Sequence, residues 1–193
     1  MTMQHRERLQ QIRGVVLDAD GVFFDGRETR SETGHIYKTR DYRDGQGLSF
    51  LRGMGLRIMF ATGEGEPLES IVRKLNTLPS ARKEPNEAGH WHPVSLRTNL
   101  KQGKGLAMLS WMDSYGLKWP EVAYIGDDRT DCEAMADVRN GGGLVVIPGD
   151  AQRVVWKYAH IVLSKHGGAG AIREFAEMVC DARGIDEEGL ATA

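Results

Sequence analysis

The stretch Ile12-Arg13-Gly14-Val15-Val16-Leu17-Asp18-Ala19-Asp20-Gly21-Val22 reads as a short buried strand that stops abruptly in an acidic turn. Side chains alternate along a strand, so Asp18 and Asp20 are expected to project to the same side where it ends. A buried, unpaired carboxylate shifts its pKa or destabilises the fold, so water or an ion must meet the pair there. In open α/β sheets, sites form at the carboxyl ends of parallel strands. Asp18 and Asp20 are therefore a candidate nucleophile and general acid.

Working outward, further apolar strand runs fall at 57–61, 94–96, 122–125 and 144–147, with a short edge candidate at 160–163. Helical patterns lie between them at 46–54, 68–75, 105–115, 131–136 and 171–182. Strands alternating with helices predict an α/β fold, a Rossmann-like parallel sheet sandwiched by helices. The stretch 22–38 breaks the alternation: Phe23, Phe24, Ile36 and Tyr37 surround a polar middle, Asp25-Gly26-Arg27, as in a β-hairpin or flap. No segment between the motifs is long enough for a large cap domain, so the site is expected to be open or closed by another subunit. Residues 79–92 are polar, contain two prolines and read as a loop. The expected organisation is a leader at 1–12, one domain over 13–183 and a flexible tail at 184–193.

With 193 residues, the chain can form one domain with a sizeable core. A net charge of -2 gives no electrostatic reason to expect nucleic acid or a membrane surface as partner. Residues 1–13 are charged and lack the apolar core of a secretory signal, and no apolar run approaches the ~20 residues that span a bilayer. The expected location is the cytoplasm, where Cys132 and Cys180, which have no metal-like spacing, stay reduced.

Three elements complete the constellation. Ala61-Thr62-Gly63-Glu64-Gly65-Glu66 follows the second strand, where a threonine hydroxyl and glycine-exposed amides can donate to a phosphate. Thr62 can equally cap the next helix, since capping uses the same amides. Lys104 opens a helical pattern and offers a point charge for a phosphoryl oxygen, with Lys101 as its neighbouring competitor. Tyr124-Ile125-Gly126-Asp127-Asp128-Arg129-Thr130-Asp131 places three carboxylates just past a strand. Hard oxygen ligands of this kind suit Mg²⁺. Asp127 reads as the direct ligand, with Asp128 and Asp131 orienting it or its waters. His90-Trp91-His92 reads as ordinary loop sequence rather than a zinc site, and Trp111, Trp119 and Trp156 as core or interface packing.

In this order the motifs resemble the haloacid-dehalogenase superfamily of phosphatases. Asp18-Ala19-Asp20, Thr62-Gly63, Lys104 and Gly126-Asp127-x-x-x-Asp131 fill its four slots. Asp20-Gly21-Val22-Phe23-Phe24-Asp25-Gly26, Arg43-Asp44-Gly45-x-Gly47 and the C-terminal Gly167-Gly168-Ala169-Gly170-Ala171-Ile172-Arg173-Glu174 are similar to its capless 3-deoxy-D-manno-octulosonate 8-phosphate phosphatase branch. The chain departs from that pattern at Glu64, where the family usually has arginine, and in a longer segment between Thr62 and Lys104.

The resemblance implies a magnesium-dependent phosphomonoester hydrolase acting on a sugar-acid phosphate. Asp18 would form an aspartyl-phosphate, Asp20 would serve as acid and then base, and Thr62, Gly63 and Lys104 would hold the phosphate. Mg²⁺ would be held by Asp18, Asp127 and the backbone carbonyl of Asp20. The resemblance also implies a homotetramer in which Arg173 of a neighbouring subunit meets the substrate. Two alternatives stand beside it: a phosphatase of another small metabolite, and a non-catalytic scaffold, a partner of a sugar-nucleotide transferase or a phospho-accepting signalling domain.

Overall fold

The structure, a computed structural model, describes residues 2–84, 87, 89–100 and 102–190. Its main strands are β1 (Gly14–Leu17), β4 (Arg57–Ala61), β5 (Ser95–Arg97), β6 (Val122–Ile125), β7 (Leu144–Ile147) and β8 (Ile161–Val162). They form one sheet in the order β5-β4-β1-β6-β7-β8, every neighbouring pair parallel. The chain winds outward from β1 through β4 to β5, then returns to β6 on the other side of β1. Loops leaving β1 and β6 thus diverge and open a crevice between them.

Strand alternation assigns the two faces. Val15, Leu17, Ile58, Phe60, Ala123 and Ile125 pack with Leu48 and Leu51 of α2 (Tyr42–Gly53), Leu68 of α3 (Leu68–Asn76) and residues of α6 (Ala171–Arg183). Val16, Met59, Ala61, Tyr124 and Val145 pack with Met108 and Trp111 of α4 (Lys104–Tyr115) and Met135 and Val138 of α5 (Cys132–Asn140). Each fully buried apolar side chain of this size contributes roughly 1.5–3 kcal/mol. In α6 the buried Ile172, Phe175, Ala176, Val179 and Cys180 recur at helical spacing, which makes its inward stripe.

Several expectations need correction. Residues expected as a leader form α1 (Met3–Gln11), with Leu9 and Ile12 fully buried and Gln10 Nε2 donating to the Ala182 carbonyl at 2.7 Å. Only two apolar residues anchor this helix, too few for a visible periodicity. Helix α2 begins ahead of its apolar pattern because Asp41 caps it, accepting from the Arg43 amide at 2.8 Å. The hairpin is narrower than 22–38: β2 (Thr29–Arg30) pairs antiparallel with β3 (Ile36–Tyr37), whereas Val22, Phe23 and Phe24 are buried in the core.

Of the stretch expected as a loop at 79–92, residues 85, 86 and 88 lie outside the described residues, Pro79–Arg82 forms a 3₁₀ turn, and the C-terminal end is anchored. Arg52 donates to the His92 carbonyl at 3.1 Å and lies over the buried Trp91 ring, while Asn76 pairs with both backbone groups of Val94. The expected tail carries a 3₁₀ turn at Glu187–Gly189, and Leu190 packs against the core. Residues 191–193 of that tail lie outside the described residues. Trp111 is core, Trp119 is partly buried, and Trp156 is half-exposed with its Nε1 donating to Ala151.

Candidate active site

Asp18 follows β1 directly, and its amide donates to the Ile125 carbonyl of β6 at 2.9 Å, which places it at the mouth of the crevice. The chain then turns sharply as the Phe23 and Phe24 amides both return to the Ala19 carbonyl at 2.9 Å. Gly21 makes that turn at φ 77°, and a Cβ there would overlap the Asp127 carboxylate. The turn therefore presses the residue after Asp20 against the loop leaving β6, a close approach that glycine alone permits.

Lys104, the first residue of α4, is the electrostatic hub. Its Nζ lies 2.7 Å from Asp18 Oδ2 and 2.8 Å from Asp131 Oδ1, with all three side chains buried. Burial opposes the lysine charge, but Asp18 and Asp131 overcome it and hold its pKa above the ordinary value. Asp18 is pushed up by burial and by Asp131, against the pull of Lys104. Asp127 is pushed up to about 8 by burial, then by Asp131 and Asp18. Two carboxylates raised in this way form a site short of positive charge.

Asp18, Asp127 and Asp131 can each bring an oxygen within 4.8 Å of the others. Asp131 is already fully engaged: Oδ1 accepts from Lys104 and from the Tyr124 hydroxyl at 2.7 Å, and Oδ2 accepts from the amides of Asp127 and Asp128. Asp131 thus orients the loop, leaving Asp18 and Asp127 to offer oxygens. This donor set fits a hard divalent cation. Asp128 is exposed and caps the turn that follows, accepting from the Arg129 amide at 2.6 Å.

Thr62 follows β4, buried, its amide bonded to the Arg97 carbonyl at 3.0 Å and its hydroxyl oxygen accepting from the Glu64 amide at 3.2 Å. Asp18, Asp20, Thr62, Gly63, Lys104 and Asp127 all line one cavity of about 650 Å³. The four separated sequence motifs therefore converge.

Sequence reasoning missed Lys38. It follows β3, and its Nζ lies 2.7 Å from both carboxylate oxygens of Asp20 and 2.7 Å from Glu64 Oε2. Its burial works against the charge, but Asp20 and Glu64 hold its pKa above the ordinary value. A lone lysine after a hairpin carries no motif. Tyr124 was read only as a strand residue, because its aromatic character conceals the hydroxyl.

Arg173 stands apart from this set. Its guanidinium is held within its own chain by Glu177 at 2.5 Å, Glu187 at 2.7 Å and Gln46 at 3.3 Å, over the Phe50 ring. It is absent from the cavity lining. A C-terminal turn that supplies Glu187 explains this, and that turn was read as tail. Lys101, the competitor of Lys104, lies outside the described residues. His90 contacts the Lys83 carbonyl at 2.6 Å.

No family model matches the chain. The chain is 29% identical over 179 residues to the 3-deoxy-D-manno-octulosonate 8-phosphate phosphatase KdsC of Haemophilus influenzae, covering 93% of this chain and 88% of that protein. The crystal structure of the Yersinia pestis 3-deoxy-D-manno-octulosonate 8-phosphate phosphatase superposes with a TM-score of 0.81 at 25% identity, covering 100% of this chain and 93% of that one. The Moraxella catarrhalis phosphatase, solved with magnesium, phosphate and KDO, shares the fold at a TM-score of 0.76 and 23% identity, over 95% of this chain and 94% of that one. Motif order, sheet topology and these relatives together make the chain a phosphatase of the haloacid-dehalogenase superfamily, similar to KdsC.

Proposed function

We propose that this phosphatase hydrolyses a sugar-acid phosphate of the 3-deoxy-D-manno-octulosonate 8-phosphate type through an aspartyl-phosphate, with Mg²⁺ as its cofactor. The observation that carries this reading is Asp18, a buried carboxylate beside Lys104 and Asp127 in a cavity shared with Thr62 and Asp20. An Asp18 oxygen attacks phosphorus in line as the bond from phosphorus to the sugar oxygen breaks, and Asp20 delivers a proton to that oxygen. Asp20 then takes a proton from the water that attacks the phosphorus of the aspartyl-phosphate, releasing phosphate and restoring Asp18. Thr62, the Gly63 amide and Lys104 hold non-bridging oxygens.

Asp18, Asp127 and the backbone carbonyl of Asp20 are the groups that would hold magnesium, with Asp128 and Asp131 fixing the loop around Asp127. When bound, the ion supplies positive charge that offsets repulsion between carboxylate and phosphate. The same reading takes the protein to act in the cytoplasm as a homotetramer. Ile36 and Tyr37, exposed on the hairpin, would meet a neighbour. Arg173 would serve a neighbouring site only by giving up its ion pairs with Glu177 and Glu187.

A second reading, a phosphatase of a different small metabolite, is favoured by Glu64. Its carboxylate lines the cavity and shares Lys38 with Asp20, which leaves fewer free cations for a substrate carboxylate. Magnesium-dependent phosphate release from a panel of sugar phosphates separates the two. Preference for 3-deoxy-D-manno-octulosonate 8-phosphate supports the first, preference for a phosphate lacking a carboxylate supports the second, and no release from any member overturns both.

A further inference from the structure

Asp44 is a fully buried carboxylate in the first turn of α2 that does not line the cavity. Its partners are backbone amides from a distant part of the chain. Oδ2 accepts from Gly170 at 3.0 Å, and Oδ1 accepts from Ile172 at 2.8 Å and Arg173 at 3.1 Å. These are donors of the first turn of α6 and of the residue before it, which an α-helix leaves without internal partners. Asp44 thus clasps the start of α6 and fixes the end of the loop 166–170.

The other end of that loop meets the catalytic turn. The Gly168 amide donates to the Val22 carbonyl at 2.9 Å, and the Gly167 amide donates to Asp150 Oδ1 at 2.9 Å. A Cβ at Gly167 would overlap the Gly21 carbonyl, so the two backbones are in direct contact. Gly21 and Val22 immediately follow Asp20. A continuous set of contacts therefore runs from Asp44 through 167–170 to the backbone carrying Asp20, and none of it touches the cavity through Asp44 itself.

We propose that Asp44 is a positioning residue for Asp20, acting through the glycine loop 167–170. The inference rests on the reading of Asp20 as the acid that protonates the departing oxygen. A carboxylate is suited to this clasp because its two oxygens accept three amides, whereas an asparagine side chain has one acceptor oxygen. A general acid gains its effect from placement within hydrogen-bond reach of the leaving oxygen, so a small displacement of the turn weakens proton delivery first.

The test uses leaving-group dependence. p-Nitrophenyl phosphate releases a stable phenolate that needs little protonation, whereas a sugar phosphate releases an alkoxide that does. In saturating magnesium, Asp44→Asn is expected to lower kcat/KM, which reports only the steps through departure of the leaving group and not the shared hydrolysis of the aspartyl-phosphate, about 100-fold for the best sugar phosphate of the panel and less than about tenfold for p-nitrophenyl phosphate. The same split is expected for Asp20→Asn, and Asp44→Asn placed on Asp20→Asn should add little. Asp44→Ser, which keeps one acceptor, is expected to show a milder split and serves if the asparagine variant does not fold. Equal losses on both substrates, no loss, or failure of both variants to fold would overturn the proposal. If the unaltered protein hydrolyses neither substrate, the phosphatase reading fails instead, so the two failures are distinguishable.

Discussion

Lys38 Nζ is bound to both carboxylate oxygens of Asp20 at 2.7 Å, so the flap hairpin reaches the acidic turn through a buried ammonium. The third partner, Glu64, belongs to the loop after β4. One lysine thus joins three separate segments at the cavity. Its charge balances two carboxylates that would otherwise face an incoming phosphate dianion.

Lys38→Met is therefore expected to raise KM for a sugar phosphate by about tenfold at low ionic strength, with the effect shrinking as salt screens the exposed charges. Lys38→Met combined with Glu64→Gln should recover part of the loss. Steady-state kinetics at two salt concentrations check this; a KM unchanged by Lys38→Met would dissociate the lysine from substrate entry.

The parallel sheet, the crevice residues and the convergence of Asp18, Thr62, Lys104 and Asp127 were legible because each sits at a strand end or helix start marked by an apolar run and a glycine. Lys38 was not, since its importance arises from the fold bringing a hairpin end to Asp20. Helix α1 was missed because two buried residues, Leu9 and Ile12, make no periodic signal. The ion pair of Arg173 with Glu187 was not legible because Glu187 sat in a segment expected to be tail. In each case the missing information is a long-range contact with no local sequence pattern.

Asp18→Asn is expected to reduce turnover on the order of a thousandfold or more while the protein stays folded. It should also raise the melting temperature of the metal-free protein at pH 8, because burial and Asp131 disfavour the Asp18 carboxylate. Activity assays with matched thermal melts check both parts. Full turnover in Asp18→Asn would remove it as the nucleophile.

The raised pKa values of Asp18 and Asp127, the latter pushed up to about 8, set a pH dependence. Between the ordinary carboxylate range and pH 8 the folded metal-free protein holds more protons than the unfolded chain, so its stability falls as pH rises through that window. A divalent cation must displace those protons, so magnesium binding should tighten from pH 6 to pH 8 and release protons. Calorimetric titration in two buffers of different ionisation enthalpy measures the release. Binding without proton release would exclude the pair as ligands.

Asp127 and Asp131 should part company on mutation, although both belong to one motif. Asp131 is fully buried and accepts from Lys104, Tyr124 and two backbone amides. Asp131→Ala leaves the Tyr124 hydroxyl and the two amides without their acceptor and Lys104 with Asp18 as its remaining partner, a loss of about 1–3 kcal/mol for each buried donor left unsatisfied. Asp127 instead bears a raised pKa from crowded neighbours, so Asp127→Ala removes a repulsive charge and should leave the fold intact. The expected outcome is that Asp127→Ala abolishes magnesium binding and turnover at near-normal stability, while Asp131→Ala lowers the denaturation midpoint sharply. Urea denaturation with magnesium titration of each variant provides the measurement. An Asp131→Ala protein as stable as the parent would show that the buried network around Lys104 does not hold this loop.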